Sequence, residues 1–61
     1  MNYKKMKLLR EQKQLSQKQL AEQTMVGQTM IAQIETGDKA PSLALLGRIA
    51  VALGVRVADL L

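Results

Sequence analysis

Apolar positions in this chain recur at intervals of three and four residues and never alternate over a useful length. That periodicity predicts helices and no strands. In the first stretch, about Asn2 to Lys13, Met6 and Leu9 share one side with Tyr3 a turn earlier, and lysines fill the other. The sequence QLSQ breaks this run. Ser16 is placed to cap a second helix, Gln17 to about Thr24, with Gln19 at the reciprocal position three residues on. Leu20 is its main inward residue, assisted by Ala21. The connection TMVG leads to a third helix that begins near Gln28, with Gly27 as N-cap, and stops at Gly37. There Ile31 and Ile34 point inward and Met30 flanks them. After the loop DKAP, Ser42 caps a fourth helix, Leu43 to about Leu53, in which Leu43, Leu46, Ala50 and Leu53 recur at helical spacing. Gly54 ends it, Val55 returns to the core, and VADLL starts a last short helical turn. The expectation is an all-α, compact bundle of five short helices. It forms one domain over residues 1–61, without repeats, linkers or low-complexity segments.

The third helix carries an unusual open side. Gln28, Thr29 and Gln33 are polar, uncharged and able both to donate and to accept hydrogen bonds. Two short helices joined by a tight turn cross steeply if a small residue sits at their approach and apolar residues pin the second one down. Ala21 fits the first need, and Ile31 with Ile34 fits the second. The helix-turn-helix so framed spans about residues 17–36, and its second helix, about 28–36, presents a polar face shaped for the major groove of DNA. A glutamine amide can bond two edge atoms of an adenine at once. A carboxylate there would be repelled by phosphates, and a lysine would add affinity with little selectivity. Either glutamine alone reads more readily as solvated helix surface; the three residues together, in this frame, point to base reading. Phosphate contacts fall to Ser16, Gln17 and Lys18 at the start of the second helix, where free N–H groups favour anions, and to Lys39.

Composition narrows the alternatives. Sixty-one residues bury only roughly 60% of the unfolded surface, which leaves no room for a deep catalytic cleft beside the core. Cys and His are absent, so disulfides, thiolate chemistry, the usual zinc ligands and imidazole catalysis are excluded. No cofactor, no metal and no enzymatic activity are expected. No apolar run approaches the roughly 20 residues that span a bilayer, and no segment resembles a signal peptide, so the expected location is the cytoplasm. The net charge is +4, and the first 18 residues hold Lys4, Lys5, Lys7, Arg10, Lys13 and Lys18 against Glu11 alone. Such a bias suits a polyanion as readily as it suits a solubilising helix face. A membrane-surface role for the first helix is disfavoured by its lack of Trp and Phe.

The stretch LREQKQLSQKQLAEQ followed by IAQIETGDKAPSLALLGRIAVALGV resembles the Cro/repressor family of helix-turn-helix regulators, the xenobiotic-response-element family that includes lambdoid phage repressors. The resemblance covers about residues 6–61 and rests on Arg10, the LSQ–x–x–LA of Leu15–Ala21, Ile31, the IE–x–G of Ile34–Gly37, Pro41 and the ALGV of Ala52–Val55. It implies a sequence-specific double-stranded DNA-binding domain, a transcriptional repressor of bacterial or phage origin. It implies base reading by Gln28, Thr29 and Gln33, a phosphate contact and a brace by Gln17, and an Arg10–Glu35 pair linking the first and third helices. It also implies a homodimer on a palindromic operator, joined through about Val55–Leu61. The apolar Val57, Leu60 and Leu61 suit that self-contact and suit ordinary packing beneath the fourth helix equally.

Two positions depart from the pattern. Gln14 and Met25 stand where the family often has glycine, at helix ends that call for positive φ, while Gly27 stands where it often has Ser or Thr. Either the turn is rearranged, or Met25 is strained with its side chain filling the core. The competing function is a protein-interaction module, such as the antitoxin of a toxin–antitoxin pair, with Leu45 and Val51 as candidates for an exposed apolar patch.

Overall fold

Side-chain caps set where the helices begin. In the computed structural model, which describes all 61 residues, Asn2 Oδ1 accepts the Lys5 N–H at 3.0 Å and opens α1, Tyr3–Gln12. Ser16 opens α2, Gln17–Thr24, through a complete reciprocal cap: its hydroxyl accepts Gln19 N–H at 3.0 Å, and Gln19 Oε1 accepts Ser16 N–H at 2.8 Å. Gly27 precedes α3, Gln28–Glu35, in extended conformation and offers no side chain to cap it. Ser42 opens α4, Leu43–Leu53, by accepting Leu45 N–H at 3.1 Å. A 3₁₀ turn, Val57–Leu60, closes the chain. The expected element order and class hold, with four α-helices and one 3₁₀ turn.

All four α-helices end in one way. The N–H two or three residues beyond the helix reaches back five residues: Leu15 to Arg10, Val26 to Ala21, Asp38 to Gln33 and Val55 to Ala50, at 2.9–3.1 Å. This left-handed stop requires positive φ at the residue before the donor. That residue is glycine twice, Gly37 and Gly54, and non-glycine twice, Gln14 (φ 58°) and Met25 (φ 61°). The turn between α2 and α3 is therefore the ordinary left-handed stop, made with a residue that pays for it in strain. Met25 does not fill the core: its side chain is 77% exposed.

Eleven buried apolar residues form one cluster, and each element supplies at least one of them. Met6 comes from α1, Leu20 and Ala21 from α2, Ile31 and Ile34 from α3, Leu60 from the 3₁₀ turn, and the rest from α4. Removing any element would open the cluster to water, at about 1.5–3 kcal/mol for each large side chain exposed. In α4 the buried stripe is Leu45, Leu46, Ile49, Ala50 and Leu53. Leu43, expected in that stripe, is 78% exposed at the first helical position, whereas Leu45, a candidate for an outer patch, is core. The chain start is tied down where Asn2 N–H donates to the Leu60 carbonyl at 2.6 Å, joining α1 to the closing turn. No helix is long and apolar enough to cross a membrane.

Candidate nucleic-acid interface

Burying Ile31 and Ile34 forces the opposite side of α3 outward, because a helix turns about 100° per residue. Gln28 and Thr29 are exposed and Gln33 is half-buried. These three line a single shallow depression of about 340 Å³ with Gln17, Ala32, Thr36 and Asp38. Gln17 reaches it because the N-terminus of α2 packs against the C-terminal half of α3, where Gln17 Nε2 donates to Glu35 Oε1 at 3.2 Å. One Nε2 hydrogen stays free. Along α3 and its C-terminal cap, residues 28, 29, 32, 33 and 36 form one outward stripe. Ala32 and Thr36 escaped the sequence reading, yet the same spacing singles them out; a methyl and a hydroxyl suit the thymine methyl and base-edge acceptors. Asp38 was also missed. It follows α3 in the loop, and its carboxylate on this rim repels phosphates.

Beneath the depression lies a buried ion pair. Arg10 Nε donates to Glu35 Oε2 at 2.7 Å and Nη2 to Oε1 at 3.1 Å, while Nη1 donates to the Leu15 carbonyl at 2.7 Å. The two side chains are only 10% and 2% exposed. The hydrogen bond to Glu35 raises the Arg10 pKa above its already high ordinary value against the lowering effect of burial, so the guanidinium keeps its charge. One guanidinium thereby fixes the end of α1, the turn before α2 and the last turn of α3. Glu35 in turn holds Gln17.

The remaining candidates surround this arrangement without joining the depression. Ser16 and Lys18 are exposed beside Gln17 at the start of α2. Ser16 accepts in the cap, so its hydroxyl hydrogen remains available to an outside acceptor. The N–H groups of Gln17 and Lys18 precede the first helical acceptors and face outward with it. Lys39 is exposed after α3, held where its N–H donates to the Gln33 carbonyl at 3.2 Å. At the head of α3, Gly27 supplies only its carbonyl, to Met30 and Ile31, which leaves the Gln28 and Thr29 N–H groups uncapped. The surface thus offers amides, hydroxyls, two helix N-termini and peripheral ammonium groups, a donor-rich set suited to an anionic, hydrogen-bonding polymer.

A helix-turn-helix family model matches residues 6–60. No curated protein matches the chain. With nearly every residue inside that match, the chain belongs to the helix-turn-helix family of Cro/C1 type, a family of DNA-binding domains found typically in transcription regulators.

Proposed function

We propose that the chain binds double-stranded DNA sequence-specifically by laying α3 in the major groove, and acts as a transcriptional regulator of repressor type. The observation that carries this reading is the outward stripe of α3: Gln28, Thr29 and Gln33 border one concave surface with Gln17, over a buried frame that fixes α3 relative to α1 and α2. Gln28, Thr29 and Gln33 read base edges, with Ala32 against a thymine methyl. Ser16, Gln17 and Lys18 hold a phosphate on one side of the groove and Lys39 a phosphate on the other. Arg10, Glu35, Ala21, Ile31 and Ile34 keep α3 at the required depth. Two copies bind a palindromic operator through the segment Val55–Leu61. Leu60 is wholly buried in the single chain, so the self-contact falls to Arg56, Ala58 and Leu61, which are exposed.

Selection from a random pool of duplex DNA tests the reading, with a two-fold symmetric consensus as the expected result. On the selected site, Gln28→Ala costs about 1–3 kcal/mol of binding and relaxes the preference at one base pair. An equal loss on every sequence would remove Gln28 from base reading.

A further inference from the structure

A second concavity lies between the C-terminal half of α2 and the outer side of α4. It has a volume of about 680 Å³ and is lined by Gln23, Ala44, Gly47, Arg48, Val51 and Ala52, none of which borders the depression at Gln28. Its apolar wall is open: Val51 is 82% exposed, and Leu43, next to Ala44, continues the same uncovered strip. Two features of the groove are not fully used by the fold. Gly47 lies inside α4 with an ordinary helical backbone, and a Cβ there would meet nothing within 4 Å. Glycine weakens a helix interior relative to alanine, and no neighbour in the chain requires it. Arg48 Nε donates to the Thr24 carbonyl at 2.9 Å, which holds the guanidinium at the groove wall, and its two Nη groups have no partner in the chain. The other two arginines each hold a carboxylate of the chain itself, Glu35 for Arg10 and Asp59 for Arg56.

We propose that this groove docks an acidic amphipathic helix of a partner protein. Its aliphatic face lies over Gly47 between Ala44 and Val51, and one of its carboxylates takes the free Nη groups of Arg48 in bidentate fashion. The missing side chain at Gly47 lets the two helices approach closely. Charge selects the occupant. No acidic side chain lines the groove, so its one charge is an unpaired cation. A second copy packed antiparallel about Gly47 would bring two Arg48 guanidinium groups together. A DNA duplex would satisfy Arg48 but leave Val51 and Leu43 uncovered.

The test uses the whole 61-residue chain and two synthetic helical peptides that share an Ala/Leu face, one carrying Glu opposite Arg48 and one carrying Lys there. Backbone NMR shifts are followed through titration to millimolar peptide. The expected result is saturable shifts at Gln23, Ala44, Gly47, Arg48 and Val51 with the Glu peptide, none at Gln28 or Gln33, and none with the Lys peptide. Gly47→Leu fills open space without disturbing the core and weakens the Glu peptide by about tenfold or more, at unchanged DNA affinity. Arg48→Glu reverses the preference between the peptides, which simple loss of structure does not do. Equal binding of both peptides, shifts confined to the Gln28 face, undiminished binding to Gly47→Leu, or no saturable binding would each overturn the proposal. So would a peptide-free dimer dispersed by Val51→Lys, which would assign the groove to a second copy.

Discussion

Met25 occupies the left-handed region, φ 61° and ψ 39°, while its side chain stands in solvent. The residue bears the steric cost of that conformation and gains little burial in return. Met25→Gly is expected to stabilise the fold by about 1 kcal/mol, and Gln14→Gly by a similar amount. In a chain this short that corresponds to a rise of about 4–8 °C in Tm, read by thermal denaturation; a lower Tm for Met25→Gly would contradict the turn geometry. The Arg10–Glu35 pair sets the opposite case. Glu35→Gln leaves the guanidinium buried without its counter-charge and is expected to cost about 3 kcal/mol in urea denaturation. Replacing both residues by methionine is expected to cost less than Glu35→Gln alone, because no unpaired charge then remains in the interior.

At the level of elements, the closing 3₁₀ turn is the part whose stability responds to acid. Asp59 accepts the Arg56 N–H at 2.9 Å, and that hydrogen bond holds its carboxyl below the ordinary carboxylate range. The unfolded chain therefore binds this proton more readily than the folded one. The contribution is present above the ordinary carboxylate pKa and is lost as pH falls through the lowered folded value. Asp59→Asn is expected to flatten the acid limb of Tm against pH, with the Leu60 amide as a local NMR probe. An unchanged limb would dismiss the Asp59 contribution. The helix boundaries themselves were legible because they rest on local chemistry: Asn, Ser and Gly caps, and glycines at two of the four stops. The inward faces of α2 and α3 were legible too, since each sets its apolar residues on one side of the helix and its amides on the other. The face of α4 was not. Its sequence LALLGRIAVAL is apolar nearly all round, so periodicity could not separate exposed Leu43 from buried Leu45, nor signal Ile49. The burial of Thr24 escaped for another reason: its hydroxyl donates back to the Leu20 carbonyl at 2.7 Å, and such self-satisfaction leaves no mark in a pattern of polarity.

Across the whole molecule, most of the charge and the proposed reading face lie on different surfaces. Lys4, Lys5 and Lys7 stand on the outer side of α1, whereas the amides lie on α3 and Lys18 sits beside Gln17 at the head of α2. The body measures about 23 × 23 × 19 Å, more than twice the Debye length of about 8 Å at physiological salt. Charges remote from the interface then act on encounter, and only those touching phosphates release counterions. The two kinds separate in a salt titration. Each phosphate neutralised contributes about 0.9 to the slope of log K against log salt. Lys18→Gln is expected to weaken binding about equally on all DNA sequences and to reduce that slope by about one. Gln33→Ala is expected to leave the slope unchanged while relaxing the sequence preference. Lys7→Gln is expected to slow association at low salt, with little effect on the slope. If Lys7→Gln lowered the slope as much as Lys18→Gln, the basic side of α1 would belong to the DNA footprint, and α3 would have to sit in the groove at a different tilt.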